Sequence, residues 1–203
     1  MKRVLKKWNS LLLAISLPWM LQSCGGGTNQ NKDSVDSAQN VNEATAPVDN
    51  ESSEFAVKAA SGGMMEVQMG RLAQENASSP RVKAFGQMMV TDHSKANDQL
   101  KSLAASKNIT LPDSVSDEQK KHMDELRKKT GDDFDKAYID MMVDDHKEDV
   151  DMFEKASNNL KDADLKSFAA TTLPTLRTHL DSAQIIQENN RKMMNNSKRG
   201  SQK

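Results

Sequence analysis

Two histidines lie in segments of nearly the same sequence. Residues 84–93 and 137–146 share an alanine followed by an aromatic residue, the run Met-Met-Val and the pair Asp-His, all in the same register. Both segments belong to stretches of helical apolar periodicity, in which His93 and His146 take the positions of the next buried side chains. Imidazole is the commonest metal ligand among side chains. The repeat therefore predicts that a metal-capable group enters a helical core twice.

The chain that must position these histidines is helical wherever its local signals are clear. Between residues 52 and 190 no stretch keeps the alternation that a β-strand requires. The expected long helices cover about residues 53–77, 80–106, 132–158 and 162–190, and a short helix covers about 116–129. The sequence thus predicts an all-α fold, an up-down four-helix bundle with a short extra helix in the connection between the second and third long helices.

Capping residues define most of these boundaries. Ser52 or Ser53 is the expected cap of the first long helix, and Ser79 precedes a first-turn proline in the second. Ser116 and Gln119 predict a capping box for the short helix. Gly131 is expected to end the short helix, and Asp132 to cap the third long helix. Asp162 or Asp164 is expected to start the fourth long helix, and Pro174 should kink that helix.

Each long helix carries one ionisable residue near the middle of its apolar stripe. These residues are Glu66, His93, His146 and His179. Because mid-helix positions of an up-down bundle meet at one level, we expect the four side chains to converge. One carboxylate and three imidazoles suit zinc, iron, copper or manganese. Without a metal they should hydrogen-bond one another, since an unpaired buried charge costs several kcal/mol, on the order of its desolvation energy.

Neighbours of the histidines leave several alternatives open. Asp92 and Asp145 could orient a neighbouring imidazole, or they could form ion pairs at the surface. Met89 and Met142 share a helix face with the histidines that follow them, which would suit copper, but methionine also fills irregular gaps in cores. His122 lies between lysines on the short helix and is expected in solvent.

A series of short motifs runs through roughly residues 54–187 in a characteristic order: Glu66-Val67, Leu72-Ala73, Met89-Val90, Asp92-His93, Phe134-Asp135, Tyr138, Met142-Val143, His146, Leu173-Pro174 and His179-Leu180. In this order the motifs resemble the ferritin-like family of predicted outer-membrane proteins known as domain of unknown function 4142. This resemblance implies an export signal and a ferritin-like four-helix bundle, with no established activity.

The histidines depart from the di-iron pattern of better-known ferritin-like enzymes. Those enzymes place a glutamate three residues before each of two histidines. Here the corresponding residues are Val90, Val143 and Leu176. The sequence therefore argues against ferroxidase chemistry and favours a mononuclear or histidine-rich site. It also lacks a nucleophile elbow, a phosphate loop and an HExxH motif, so an enzymatic activity is not favoured.

The first 24 residues resemble a bacterial lipoprotein signal. A basic segment with Lys2 and Arg3 precedes the apolar run 11–17, and Leu-Gln-Ser leads to Cys24, the only cysteine. Cleavage before Cys24 would make its thiol and new amino group the sites of acylation, palmitate among the expected chains. Several acyl chains hold a protein durably at a membrane. Because Gly25 rather than aspartate follows, we expect the outer membrane of a Gram-negative bacterium.

The segments flanking the bundle are polar. Residues 24–51 hold no aromatic side chain and are expected to form a disordered, acidic tether beyond the signal peptide 1–23. The bundle domain then covers residues 52–190, and residues 191–203 form a basic tail that is expected to be disordered. Removal of the signal leaves 24 basic against 29 acidic residues and no tryptophan, which argues against nucleic-acid binding.

Two hypotheses for function follow. The first is an envelope lipoprotein that binds a transition metal through the Glu/His cluster. The alternative is a structural or protein-interaction module of the envelope, without a metal, whose histidines satisfy one another. Both include a lipid anchor in the membrane, and the second requires an envelope protein partner.

Overall fold

The computed structural model describes residues 33–45 and 47–200, with the backbone alone for 193–200. The predicted signal peptide, the lipidation site Cys24 and residues 201–203 lie outside this range. None of the helices in the described part of the chain is both long enough and apolar enough to cross a bilayer.

Six helices and no strand make up the described residues, which confirms the all-α prediction. They are α1 (Ser34–Thr45), α2 (Asn50–Asn76), α3 (Pro80–Ser106), α4 (Asp117–Arg127), α5 (Gly131–Asn159) and α6 (Ala163–Gly200). The four long helices, α2, α3, α5 and α6, form the predicted bundle. The short α4 lies in the connection between the second and third of them, also as predicted.

Contacts between helix ends give the direction of each helix. The side-chain amide of Asn76 donates to the Lys129 carbonyl at 3.2 Å, so α2 ends beside the residues that precede α5. The Asp162 amide donates to Ser52 Oγ at 3.4 Å, so α6 starts beside the start of α2. Therefore α2 and α6 run one way, and α3 and α5 run the other. The connection 107–130 crosses the length of the bundle, which is the single long crossover typical of ferritin-like bundles.

Some predicted boundaries are wrong by a few residues. Asp49, rather than Ser52 or Ser53, caps α2, and its Oδ1 accepts from the Ser52 amide at 3.2 Å. Thr130 is the N-cap residue of α5 and Gly131 its first residue, at φ 61°, so Asp132 lies inside the helix. A carboxylate caps as well as a hydroxyl, so the sequence could not choose between neighbours. The capping box of Ser116 and Gln119 is confirmed.

The predicted disorder of the flanking segments is wrong where the structure describes them. Helix α1 occupies residues 34–45, and the buried Asn42 fixes it to the crossover connection: its amide donates to the Thr110 carbonyl at 2.8 Å, and its Oδ1 accepts from the Thr110 amide at 2.7 Å. At the other end α6 continues to Gly200, past the predicted start of the tail. A polar composition did not reveal α1 because tertiary hydrogen bonds stabilise it.

The core has two parts. The methionine cluster contains Met65, Met69, Ala73, Ala77, Val82, Phe85, Met89, Val115, Met123, Leu126, Phe134, Tyr138, Ile139, Met142, Val143, Ala183 and Ile186. The phenylalanine cluster contains Phe55, Ala56, Ala59, Ala60, Leu100, Ala104, Ile109, Phe153, Ala156, Leu160, Leu165, Phe168, Ala169, Leu173 and Leu176. Along α3, α5 and α6 the two clusters are separated in sequence by His93, His146 and His179, and on α2 Glu66 directly follows Met65, the first member of the methionine cluster.

Helices α2 and α3 approach each other closely beside the methionine cluster. A Cβ on Gly70 would lie 2.6 Å from the Gly86 carbonyl, and a Cβ on Gly86 would lie 2.7 Å from the Gly70 carbonyl. Two glycines thus allow the backbones to touch, and this contact fixes the register that places Glu66 beside His93.

Candidate metal centre

The boundary between the two clusters is a layer of four polar side chains, one from each long helix. Glu66 is 1% exposed, His93 6%, His146 0% and His179 1%. The structure therefore brings together all four residues that the apolar stripes indicated. Such deep burial requires that every nitrogen and oxygen be accounted for.

Glu66 lies against two of the histidines. His93 Nδ1 is 2.7 Å from Glu66 Oε2, and His146 Nδ1 is 3.3 Å from Glu66 Oε1. Both contacts are close, but neither carboxylate oxygen has a well-aligned hydrogen-bond donor. Glu66 thus acts on the two imidazoles mainly through its charge.

The two aspartates next to the histidines differ. Asp92 Oδ2 lies 2.9 Å from His179 Nε2, so it fulfils the orienting role that was one of its two predicted alternatives. Asp145 does not contact an imidazole in this way, and its buried Oδ2 has no hydrogen-bond partner. Burial raises the pKa of Asp145 to about 7.

Hydrogen bonds on the outer side of the rings determine which nitrogens carry protons. His146 Nδ1 lies 2.9 Å from the Met142 carbonyl, which can only accept, so this nitrogen is protonated. His179 Nε2 is protonated for the same reason, because it faces the Asp92 carboxylate. In the neutral rings the other nitrogens, His146 Nε2 and His179 Nδ1, then carry lone pairs, and they face each other at 3.4 Å.

His93 completes the arrangement. Its Nδ1 faces Glu66, while its buried Nε2 has no partner. One nitrogen from each of the three rings lies within 4.8 Å of the other two, and the ring centroids are 5.3 to 5.7 Å apart. Nitrogen ligands about 2.05 Å from a tetrahedral ion are about 3.3 Å apart. The pair His146 and His179 already has that spacing, and small side-chain movements would bring in His93. The three-histidine group could therefore hold a metal ion.

The electrostatics of the layer favour neutral rings at two positions. Burial lowers the pKa of His146 and of His179. Burial also opposes a charge on His93, but the Glu66 carboxylate beside it raises the pKa of this imidazole overall. Burial opposes a charge on Glu66 too, and the adjacent His93 and His146 nevertheless lower its pKa. His146 and His179 thus offer free lone pairs, and Glu66 supplies a negative charge beside them.

Three polar residues near the layer were not predicted. Asp149 and Asn97 line a cavity of about 20 Å³ that also touches Glu66 and His93, and the Tyr138 hydroxyl is buried without a hydrogen-bond partner. Asp149 follows His146 by three positions, and Asn97 follows His93 by four. Helical spacing could therefore have indicated both.

The other candidates lie away from the centre. His122 is exposed on α4, as predicted. Met89 and Met142 are fully buried members of the methionine cluster. Nothing in their packing distinguishes them from the other methionines of that cluster.

Comparison with known proteins gives a fold relative and a family. The structure is similar to the crystal structure of DUF305 from Streptomyces coelicolor, a protein inferred to be secreted, with a TM-score of 0.58 and 12% sequence identity. The match covers 68% of this chain and 93% of that one, and at this identity it shows the fold alone. No curated protein matches the sequence. The family model named Domain of unknown function (DUF4142) matches residues 37–186, so the chain belongs to that family.

Proposed function

We propose that this protein binds a transition-metal ion in the bacterial cell envelope. His93, His146 and His179 supply the ligands. Glu66, which the sequence suggested as a fourth ligand, acts with Asp92 from the outer side of the rings.

The observation that supports the proposal most strongly is the pair of facing nitrogens on His146 and His179. Their other ring nitrogens donate to Met142 and Asp92, so two lone pairs point at each other at 3.4 Å. Two lone pairs repel at this distance unless a proton or a metal ion lies between them, and burial, which lowers the pKa of both imidazoles, disfavours a further proton on either ring. Metal-bound histidines characteristically donate their second ring nitrogen to a carboxylate or a backbone carbonyl. Two of the rings have such an acceptor, Met142 for His146 and Asp92 for His179, and the Glu66 carboxylate lies 2.7 Å from His93 Nδ1.

The ligand set indicates which ions fit. Three neutral imidazoles suit zinc, copper and iron, and manganese is the weaker candidate because it prefers oxygen ligands. A single site of this kind does not require the paired glutamates of di-iron enzymes. The proposed role is therefore to hold or sense a metal, without an assigned reaction.

Metal analysis tests this proposal. The protein purified without chelators should contain close to one equivalent of a transition metal by mass spectrometry, and His93→Ala should lose it. His122→Ala is the matched control, because His122 is exposed on α4 and should not affect the metal content. Protein that is metal-free, that resists reconstitution and that keeps its stability in His93→Ala would contradict the proposal. That result would favour the alternative of an interaction module.

We also propose that the protein is anchored by lipid at Cys24 in the outer membrane. The lipoprotein-like sequence before Cys24 supports this location, and the inferred secretion of the Streptomyces coelicolor protein agrees with export. Cys24→Ser should move the protein from the membrane fraction to the soluble envelope fraction. Unchanged pelleting with membranes would contradict lipidation.

A further inference from the structure

A small cavity adjoins the polar layer on the side of the phenylalanine cluster. Its volume is about 20 Å³, which exceeds the roughly 10–15 Å³ that one water molecule requires. Glu66 and His93 form its inner wall, and Asn97 and Asp149 also line it. The remaining wall is mostly apolar and includes Phe153 and Phe168.

The inner wall carries polar atoms that the protein itself does not satisfy. Both Glu66 oxygens and His93 Nε2 are buried and lack an aligned hydrogen-bond partner. Buried polar atoms without a protein partner commonly bind an ordered water or another small ligand. The Glu66 carboxylate and the Asn97 carbonyl accept hydrogen bonds, so the cavity suits a molecule that donates them. The charge on Glu66 also repels anions.

Two consecutive glycines of α2 lie next to this cavity. Gly63 lines it, and a Cβ there would overlap the Asn97 amide; a Cβ on Gly62 would meet only Asp149 Oδ1, at 3.8 Å. Asn97 and Asp149 are half-buried, whereas Glu66 and His93 are buried, so the cavity lies nearest to solvent at Asn97 and Asp149. Glycine in a helix costs about 1 kcal/mol relative to alanine. The close contact with Asn97 explains Gly63, and the contacts of Gly62 leave room for a methyl group.

We propose that this cavity holds an exchangeable ligand of the metal, a neutral hydrogen-bond donor of one or two heavy atoms, of which water is the simplest. The ligand enters from solvent between Asn97 and Asp149. Three imidazoles leave a coordination position open in a tetrahedral site, as in zinc sites that keep a water. The inference rests on the proposed metal site and adds that the site is open to small molecules rather than closed.

Electron paramagnetic resonance of the full chain loaded with Cu²⁺ tests the inference, with water as the probe. In water enriched in oxygen-17, a coordinated water broadens the copper signal. We expect this broadening in the wild-type protein and its loss in Gly63→Ala, in which the added methyl group displaces the Asn97 amide. Gly62→Ala is the matched control and should keep both copper and broadening.

The possible outcomes separate the two proposals. Failure to bind copper would contradict the metal site itself. Copper binding without broadening in the wild type, or broadening that persists in Gly63→Ala, would overturn the open cavity and leave the metal site intact. If Gly63→Ala does not fold, Asn97→Leu serves instead, because the larger apolar side chain fills the same space from the half-buried, solvent side. It should abolish the broadening while the copper remains bound.

Discussion

The two halves of the core differ in chemistry although they belong to the same four helices. The phenylalanine cluster contains a triad in which the ring of Phe153 lies 5.1 Å from that of Phe55 and 6.0 Å from that of Phe168. The methionine cluster instead contains flexible thioethers and the close approach of Gly70 and Gly86. Two of these rings, Phe153 and Phe168, line the small cavity, and adaptable side chains fill the other half of the core. The polar layer lies where these two kinds of packing meet, so each half can be altered separately.

The largest effect is expected in the phenylalanine cluster. Phe153→Ala removes a ring that contacts two others, and it should lower the free energy of unfolding by about 3–5 kcal/mol. Urea unfolding measures the change, and Phe153→Leu should cost clearly less. A loss below about 1 kcal/mol for the alanine variant would show that the rings are not the rigid half of the core.

Metal binding should stabilise the layer between the clusters. At a free metal concentration about 100 times the dissociation constant, the free energy of unfolding should rise by about 2.7 kcal/mol, because only the folded chain assembles the three imidazoles. Thermal unfolding with and without Zn²⁺ measures the rise. His93→Ala should not show it, and an equal rise in that variant would mean that the ion binds elsewhere.

Gly86→Ala tests the close approach of the helices in the methionine cluster. The added Cβ would lie 2.7 Å from the Gly70 carbonyl and 2.8 Å from the Ala73 Cβ, so α2 and α3 must move apart. We expect a loss of about 1–3 kcal/mol by chemical denaturation. Gly62→Ala is the control, since it gains helix propensity and should be neutral or stabilising by up to about 1 kcal/mol. Similar losses in both variants would contradict a specific backbone contact.

Exchanges between methionine and leucine compare how well the halves adapt. Met142→Leu in the methionine cluster and Leu100→Met in the phenylalanine cluster should each cost less than about 1.5 kcal/mol. The cost of Met142→Leu should be the smaller, because the neighbouring methionines can adjust their three side-chain torsions. Chevron or equilibrium denaturation resolves the difference, and the opposite order would refute the contrast in rigidity.

The smallest effect is expected at the end of the phenylalanine cluster, where Lys107 Nζ lies 2.7 Å from Asp162 Oδ2. Burial opposes ionisation of Asp162, but the hydrogen bond from Lys107 lowers its pKa overall. The folded pKa lies below the unfolded value of about 3.9, so the pair stabilises the fold fully above that pH and is lost as the pH falls through the folded value.

Comparison with Lys107→Met isolates this contribution. The variant should be less stable than the wild type by at most about 1 kcal/mol near neutral pH, and the two should converge in acid. Unfolding curves across the acid range check the expectation. A difference that persists after Asp162 is protonated would assign it to packing of the lysine stem.

The sequence predicted the bundle well because helix signals are local. Apolar periodicity, Pro80 at a first turn and the Ser116–Gln119 capping box each depend on residues within a few positions of one another. The site residues could also be predicted from the sequence, since a polar residue in the middle of an apolar stripe is easily recognised. By contrast, α1 was missed because its stability comes from Asn42 and Thr110, which are 68 positions apart.

By itself, then, the sequence determined which long helices form, which face of each is buried and that Glu66, His93, His146 and His179 lie in the core. Only the tertiary structure decided the direction of the helices, the pairing of Asp92 with His179 and the approach of His146 Nε2 to His179 Nδ1 at 3.4 Å. Periodicity reports the face on which a side chain lies, whereas the ring nitrogen of His179 that carries the proton depends on an acceptor, Asp92, that another helix brings to it. Tertiary packing also formed the small cavity beside Glu66 and His93, because its walls come from four helices that no local pattern connects.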